Sequence, residues 1–329
     1  MKLIKLAHGN GGEENNELIS KVFYKAFANE ILEKNEDAAI IENGNLAFCT
    51  DSFTVSPLFF AGADIGKLCI CGTCNDLAMM GARPKYLTCS VIIEEGFSFQ
   101  ELEKIVDSMK KELQINGVIV VSGDTKVVPK GAVDKIFINT SGIGEVLMPN
   151  ISSNNITQGD LILVSGDIGK HGATIFASRE GIELDGDLQS DCKSLFPVVK
   201  ELIDNNIKIK ALRDATRGGV AAVLNEWAKQ SSVNIEIEEE KIPVSDIVNG
   251  LCEMLGFEAT ALANEGTFVL AIEQSDSQKA LKILQKHNQF ATIIGTAKDS
   301  KDKRVVLKSA WGTSRYLDLP TGELLPRIC

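Results

Sequence analysis

The first half of the chain alternates between two spacings of apolar residues, which predict a mixture of helices and strands. Helical spacing covers residues 13–35. One face of that stretch is apolar and carries Leu18, Val22, Ala26 and Phe27. Two further helices have start signals: Asp64 is the expected N-cap of ADIGKLCICGTCNDLAMMGA, and Ser98 with Glu101 has capping-box spacing before a long amphipathic run.

Strand-type runs lie between these helices. Two runs flank Asn43-Gly44, which predicts a hairpin, and further strands are expected in KYLTCSVIIEE, GVIVVSGDT and KIFINTSGIGEV. After a polar, turn-rich stretch at 148–160 the pattern restarts. Strands are then expected in LILVSGD, IKALRDATRGG, VNIEIEEE, GTFVLAI and FATIIGTA. Helices are expected in HGATIFASRE, SLFPVVKELIDNN, VAAVLNEWAKQ, VSDIVNGLCEML and DSQKALKILQKHN. The order predicts an α+β protein of two similar halves, with a weakly periodic tail from Ser309.

The net charge of the chain limits the kinds of molecule that it is expected to bind. The 329 residues carry a net charge of −11, which argues against a nucleic-acid or anionic-membrane surface but allows a phosphorylated ligand bridged by Mg²⁺. No apolar stretch approaches the length of a signal peptide core or a membrane span. We therefore expect a cytoplasmic protein whose eight cysteines stay reduced.

Two kinds of polar motif are candidates for chemistry. The segment HGNGG, from His8 to Gly12, is either an anion-binding backbone or a flexible turn, and the chain has no Walker A motif or good G-x-G-x-x-G. Five aspartates sit at expected strand ends and helix starts: Asp51, Asp64, Asp76, Asp124 and Asp214. Each alone is more readily explained as a cap or turn residue, but together they suggest oxygen ligands for Mg²⁺.

The remaining reactive side chains leave alternatives open. Cys69, Cys71 and Cys74 form a C-x-C-x-x-C run, but a helix would point the first two about 200° apart, so packing is favoured over a metal cluster. Glu265 in LANEG and Lys126 in GDTKVV are either ordinary loop charges or proton-transfer groups.

Taken together, the motifs resemble the hydrogenase maturation protein HypE family of carbamoyl dehydratases. The matching segments run the whole chain: HGNGG, TDSFTVSPLFFAGADIGKL, GTCNDLAMMGARPKYL, VSGDTKVV, SGDIGKHGATI, RDATRGG, ANEG and the terminal LPRIC. The ending is the most specific, because the related aminoimidazole ribonucleotide synthetases, selenophosphate synthetases and thiamine-monophosphate kinases lack it.

The resemblance implies a two-domain aminoimidazole ribonucleotide synthetase-like fold. Residues 1–149 would form an ATP-binding domain that makes a homodimer through its strands, 150–308 a C-terminal α/β domain, and 309–329 a tail with the substrate cysteine, Cys329. It also implies ATP and Mg²⁺ as cofactors. The implied ATP-binding residues are His8, Gly9, Asn10, Gly11, Gly12, Asp51, Asp64, Lys67, Asn75, Asp76, Asp124 and Thr125. The implied metal ligands are Asp51, Asp64, Asp76 and Asp214.

The resemblance further implies that a carbamoyltransferase, HypF, loads a carbamoyl group onto the Cys329 sulfur. ATP then drives its dehydration to a thiocyanate, whose cyanide passes to iron on a HypC–HypD complex. Glu265 is the expected base, with Lys126 as its charge partner or a phosphate contact. Two alternatives stay open: a synthetase or kinase of the same fold that acts on a free small molecule, and a metal carrier that uses Cys69, Cys71 and Cys74.

Overall fold

The computed structural model describes residues 4–9, 11–27, 29–41, 45–182, 186–300, 302–321 and 327–329. Asn10 and the turn predicted at Asn43-Gly44 lie outside these residues. Among the described helices, none is both long and apolar enough to cross a bilayer.

A five-stranded sheet organises the first half of the chain, in the order β1-β2-β7-β5-β6. Its strands are β1 (Ala39–Ile41), β2 (Leu46–Phe53), β5 (Ala82–Glu94), β6 (Ile119–Val128) and β7 (Ile136–Val146). A two-stranded ribbon, β3 (Phe59–Phe60) and β4 (Ala63–Asp64), leads into the first long helix. All neighbours in the large sheet are antiparallel except β5 and β6, which run parallel because a helix over Phe99–Asn116 crosses between them.

Two long helices cover one face of this sheet. Helix α3 (Ile65–Met79) begins at Asp64, whose carboxylate accepts from Lys67 N–H at 2.9 Å, and α4 (Phe99–Asn116) begins at Ser98. Both predicted caps are therefore confirmed. Helix α3 is apolar on all sides and almost wholly buried, because it packs against the sheet, against α4 and against the second half of the chain.

The N-terminal helix differs from the prediction. In place of one helix over 13–35, the structure has α1 (Glu13–Leu18), a π-helical turn (Ile19–Tyr24) and α2 (Lys25–Phe27). Asn29 stops helical continuation because its side chain accepts from Ile31 N–H and Leu32 N–H at 3.0 and 2.9 Å. The expected apolar face is exposed rather than packed, with Val22 at 53% and Phe27 at 64%.

A seven-stranded sheet organises the second half, in the order β14-β13-β10-β12-β8-β11-β9. Its strands are β8 (Leu161–Val164), β9 (Ile209–Asp214), β10 (Val233–Glu238), β11 (Phe268–Ile272), β12 (Thr292–Asp299), β13 (Val305–Lys308) and β14 (Ser314–Tyr316). The helices are α5 (Lys170–Glu180), α6 (Phe196–Asp204), α7 (Gly219–Gln230), α8 (Asp246–Leu255) and α9 (Ser277–His287). Each lies on one of the predicted helical stretches.

The C-terminal region is more ordered than the sequence predicts. The predicted tail begins at 309, but Ser314–Tyr316 forms β14, which pairs antiparallel with β13. The last described residues then return to the first half, where Ile328 is buried in a core cluster shared by α3, α4, α5 and α8. The chain end is therefore docked between the two halves.

Candidate active site

Three carboxylates converge from three elements where the two halves meet. Asp51 lies on β2, Asp76 lies near the end of α3, and Asp214 ends β9. The side chains of Asp51 and Asp76 are hydrogen-bonded to each other. Helix α3 comes close to β2 at Gly72, because a Cβ there would lie 2.9 Å from the Phe53 ring.

Burial and mutual repulsion govern the charge of these carboxylates. Burial raises the pKa of Asp76 well above its usual value, and the neighbouring Asp51 and Asp214 raise it further. Burial, followed by repulsion from Asp37 and Asp51, does the same to the pKa of Asp214. The cluster consequently favours bound protons or a bound cation over free negative charge.

Glu265 is the most enclosed carboxylate of the site. It lies in the turn before β11, is 2% exposed, and its Oε1 atom has no hydrogen-bond partner among the described residues. Burial, then Asp214 and Asp191, raises the pKa of Glu265 well above its usual value. Asp191 fixes the turn, since its two carboxylate oxygens accept from Glu265 N–H and Gly266 N–H at 3.0 Å each.

Cys329 and Arg217 complete the group. Burial raises the pKa of the Cys329 thiol to about 12; Arg217 opposes that shift, while Glu265 and Asp51 add to it. The pKa of Arg217 is in turn raised, chiefly by the Cys329 sulfur. The C-terminal thiol thus lies within the electrostatic reach of one guanidinium and several carboxylates.

The glycine-rich segment packs against the loop after β9. A Cβ on Gly11 would lie 2.8 Å from Arg217 Cβ, and one on Gly12 would lie 2.3 Å from Pro320 O. Both positions need glycine, because the backbone comes too close to these neighbours to leave room for a side chain. Arg217 also donates to Gly9 O at 3.0 Å, and His8 accepts from Asn15 through its backbone oxygen at 2.6 Å. A cleft of about 210 Å³ opens here beside Asp214 and Arg217.

Several predicted residues of α3 lie apart from the carboxylates. Asp64 caps the opposite end of the helix, twelve residues or roughly 18 Å from Asp76. The Asn75 side chain bonds three backbone groups, Lys193 O, Glu265 O and Leu195 N–H, so it holds the Glu265 turn from outside. Lys67 donates to Gly62 O at 3.5 Å.

Asp124 and Lys126 of the motif GDTK lie on the other face of the sheet, whereas Thr125 is in register with Val91 and Ile138 on the α3 side. Register places Asp124 in a row with Ser90, Asn139 and Ser52, whereas Asp51 is in the adjacent row and faces α3. Asp124, Thr125 and Lys126 are exposed, and three strand spacings, about 14 Å, separate β6 from β2. Lys126 pairs with Asp124 at 2.6 Å, and its expected role as charge partner of Glu265 or as a phosphate contact stays a prediction.

Four residues near the site were not singled out by the sequence as chemical groups. Arg217, Asp191, Asp37 and His171 contact the site or its supports. Burial raises the pKa of Asp37 to about 7, although Arg213 opposes the shift at 2.7 Å. Arg217 belongs to the motif RDATRGG, so the sequence could have identified it. The other three residues reach the site only through contacts between distant segments.

The donor set at Asp51, Asp76 and Asp214 fits a hard divalent cation. Carboxylate oxygens are the preferred ligands of Mg²⁺, and burial raises the pKa of all three carboxyl groups, so a cation beside them would favour their charged form. Within the described part of the chain, no three His, Cys, Asp or Glu side chains already surround one point. The fourth predicted ligand, Asp64, is not near the other three.

The three clustered cysteines are packing residues of α3. Cys69, Cys71 and Cys74 are fully buried in the core, and the Cys69 thiol donates to Gly66 O at 3.3 Å, one turn back. The prediction that this run is helical is confirmed.

Two family models match the chain, one over each of the two halves described above. Residues 35–146 match the N-terminal domain of AIR synthase related proteins, and residues 157–308 match the C-terminal domain. The carbamoyl dehydratase HypE of Escherichia coli K12 is 46% identical over 340 aligned residues, which cover 100% of both chains.

Solved structures of HypE proteins have the same fold as this chain. A HypE chain in a crystal structure of a HypE–HypF complex superposes with a TM-score of 0.89 at 48% identity, covering 92% of this chain and 99% of that one. HypE crystallised in complex with ATP gives 0.84 at 43% identity, with 99% and 100% coverage. The chain therefore belongs to the HypE family of carbamoyl dehydratases, built on the two-domain fold of AIR synthase related proteins.

Proposed function

We propose that this chain uses ATP to dehydrate a carbamoyl group carried on the sulfur of its own Cys329, leaving a thiocyanate. The observation that carries the proposal is the position of Cys329: the C-terminal sulfur lies beside Arg217, Glu265 and Asp51 rather than in solvent. A free-substrate synthetase or kinase has no need to bring Cys329 into this group.

The first step makes the amide oxygen a leaving group. The carbamoyl oxygen attacks the γ-phosphorus of ATP, the bond from that phosphorus to the β,γ-bridging oxygen breaks, and ADP departs. The nitrogen releases one proton to water as the phosphorylated intermediate, with a carbon–nitrogen double bond, forms. Arg217 is placed to stabilise the negative charge that develops next to the sulfur.

The second step removes the oxygen. Glu265 takes the remaining proton from nitrogen, the carbon–oxygen bond breaks, and inorganic phosphate leaves with that oxygen, so that a carbon–nitrogen triple bond remains on sulfur. A carboxylate with a raised pKa is a stronger base than an exposed one, and Asp191 fixes the turn that carries Glu265.

Nucleotide and metal would enter beside the same carboxylates. The cleft between Gly11 and Asp214 leads to the site, and the relative solved with ATP supports ATP as the co-substrate. We assign Asp51, Asp76 and Asp214 as the residues that hold Mg²⁺, which neutralises charge on the transferring phosphoryl group when bound. We leave Asp64 out of this set because of its distance.

A partner would load the sulfur. In its docked position the thiol is a poor nucleophile, because its thiolate is disfavoured. We therefore infer that carbamoylation takes place with the tail outside this site, on a carbamoyltransferase; the relative crystallised with HypF supports that partner. A HypC–HypD complex is the proposed acceptor of cyanide. All eight cysteines are unpaired, which agrees with the cytoplasmic setting that we propose.

We also infer that two copies associate through the five-stranded sheet. Its open face carries an apolar row in register across four strands: Phe48, Ile143, Tyr86 and Ile119, between 39% and 59% exposed. Strand β6 is an uncovered edge. A second copy of the chain would cover both the apolar row and the edge of β6. It would also place the carboxylates of its own site within reach of Asp124 and Lys126, which lie far from the site of their own chain.

We propose that residues 1–149 form the domain that binds nucleotide and makes the dimer. Residues 150–308 form the C-terminal α/β domain. The carrier segment is shorter than the predicted 309–329, since β14 belongs to the second sheet.

The test is intact-mass analysis of the purified chain after incubation with carbamoyl phosphate, ATP and the carbamoyltransferase. We expect a carbamoyl adduct that subsequently loses one water, with both masses located on the peptide containing Cys329. Cys329→Ser is the matched variant: it should bind ATP normally and show neither mass. A water-losing adduct on Cys329→Ser, or ATP turnover with a free small molecule in that variant, contradicts the proposal.

A further inference from the structure

A buried guanidinium joins segments of both halves of the chain beside the carboxylate site. Arg213, the residue before Asp214 on β9, is 7% exposed. Its Nε atom lies 2.7 Å from Asp37 Oδ1, and its Nη2 atom donates to Asn35 O at 2.6 Å. Its Nη1 atom donates to Glu226 on α7. One side chain on β9 therefore contacts both the segment that leads into β1 and the helix α7.

Strand β9 separates this guanidinium from the carboxylates. Side chains alternate between the two faces of a strand, so Arg213 and Asp214 point in opposite directions. Ala211 packs in the core cluster of α7, whereas Leu212 packs in the cluster that contains Met79 of α3. Arg213 accordingly reaches α7, and Asp214 lies on the face that α3 covers. Contacts of Arg213 on one face thus fix the position of Asp214 on the other.

Glu36 extends the network to the connection between the two halves. Its side chain is 7% exposed and lies 3.9 Å from Arg213 Nη2. The Oε1 atom of Glu36 accepts from the Ser152 hydroxyl at 2.5 Å, and Ser152 N–H donates to Lys210 O on β9 at 2.9 Å. Ser152 belongs to the turn-rich stretch between the two sheets. The segment before β1 is therefore held to the second half by the guanidinium and by this connection.

The charges of the network do not balance, which argues against a role in stability alone. One guanidinium faces the three largely buried carboxylates of Glu36, Asp37 and Glu226. The desolvation cost of a buried ion pair offsets much of its attraction, and surplus carboxylates add repulsion. Apolar side chains would join the two halves at less cost. Ionic contacts add direction, because a planar guanidinium bonds its partners in a fixed geometry.

We propose that Arg213 is the positioning residue that aligns the two halves of the chain at the carboxylate site. Asp51 and Asp76 come from the first half and Asp214 from the second, so a nucleotide and its cation between them need that alignment. Arg213 acts through residues 35–37 and through β9 rather than on the reacting atoms. The expected effect on ATP rests on the proposed function, whereas the alignment rests on contacts alone.

The first experiment needs neither ATP nor the reaction. Trypsin cleaves after Lys34, which is exposed and directly precedes the segment that Arg213 holds. We expect Arg213→Met to accelerate cleavage after Lys34 about tenfold, because opening of the segment no longer breaks the guanidinium contacts. Arg213→Lys, which keeps the charge, should recover part of the protection. Arg315→Met is the matched control, since Arg315 bridges Glu239 and Glu258 at the opposite edge of the sheet, and it should not change cleavage.

The second experiment measures single-turnover thiocyanate formation on the carbamoylated chain at increasing concentrations of ATP with Mg²⁺. Arg213→Met should raise the ATP concentration at half-maximal rate about tenfold but change the saturated rate less than about threefold, because bound nucleotide itself joins the two halves. Arg213→Lys should give an intermediate concentration. A general folding defect would instead lower the saturated rate, through a smaller active fraction, and leave the half-maximal concentration unchanged.

Glu226→Gln covers the case in which Arg213→Met does not fold. It keeps the shape of a side chain that is 22% exposed and removes one charged partner of Arg213, so cleavage and half-maximal ATP concentration should each rise about threefold. Cleavage after Lys34 at the rate of the unchanged chain in both folded variants overturns the alignment. Faster cleavage with an unchanged half-maximal ATP concentration overturns its importance for the site. Failure of the unchanged chain to use ATP contradicts the proposed function, and the cleavage result then decides the alignment.

Discussion

Cys329 is held where its thiol is chemically suppressed. The site disfavours the thiolate, because it is buried and faces Glu265 and Asp51. A carbamoylated sulfur has no ionisable proton, so the same position accepts the loaded form without that electrostatic cost. At the scale of single residues, the proposed function would therefore separate loading, which needs a thiolate, from dehydration, which needs the loaded sulfur beside Glu265.

The suppressed thiol has a pH consequence. Docking raises the pKa of Cys329 from 9.0 to about 12, so docking is fully favoured below pH 9 and weakens as pH rises toward 12. From pH 8 to pH 10 we expect the alkylation rate of Cys329, divided by that of a free peptide with the same ending, to rise about tenfold. A constant ratio would show that docking does not disfavour the thiolate.

Glu265→Gln tests the assignment of the base. The variant keeps the size of the side chain but removes its proton acceptor, so we expect thiocyanate formation to fall by about 100-fold or more with ATP affinity nearly unchanged. Single-turnover mass analysis of carbamoylated chain measures the first quantity and calorimetry the second. Glu112→Gln, a buried carboxylate on α4 that contacts Cys71 and Ser194, is the control and should retain the rate.

At the scale of elements, α3 links the two halves. It contributes Cys69 and Cys71 to the core shared with α5 and α8, and Met79 to the core shared with α6 and α9. Its C-terminal part carries Asp76, and Asn75 bonds the backbone of the Glu265 turn. The packing of this helix therefore fixes the site as well as the fold.

Gly66→Ala tests the packing of α3 on α4. A Cβ at Gly66 would lie 2.1 Å from Ile105 O, which is backbone and cannot rotate away, so unfolding free energy should fall by about 1–3 kcal/mol. Gly250→Ala, in α8 with open space around it, should instead raise stability by about 0.5–1 kcal/mol. Urea denaturation measures the unfolding free energy of both variants. A Gly66→Ala variant as stable as the unchanged chain would show that α3 and α4 can move apart at little cost.

At the scale of the whole molecule, the open sheet face and the position of GDTK favour a dimer. Tyr86→Lys and Ile143→Lys place charge in the apolar row and should convert the proposed dimer to a monomer in sedimentation velocity. Trp311→Lys, at the exposed connection between β13 and β14, should leave the mass unchanged. A sedimentation mass unaffected by the row variants would place the interface elsewhere.

Local patterns sufficed for much of this description. Caps at Asp64 and Ser98, the helical cysteine run and the order of strands and helices follow from short-range spacing. The ending LPRIC, through its resemblance to the family, suggested the carrier role that we propose for Cys329. Local patterns failed where contacts between distant residues or with the backbone decide the structure: the helix expected over residues 13–35 ends at Phe27, before Asn29, and the stretch after 309 contains β14, whose partner is β13.

The sequence by itself determined the family and most of the helices and strands, because motifs and local spacing encode them, and it supplied the candidate reactive side chains. Tertiary structure alone decided which side chains meet. It brought Asp51, Asp76 and Asp214 together, left Asp64 at the far end of α3, and put Lys126 on the opposite face of the sheet. It also brought His171 into contact with the docked chain end. The reason is physical: strand register and helix packing join residues far apart in the chain, and no local pattern encodes those contacts.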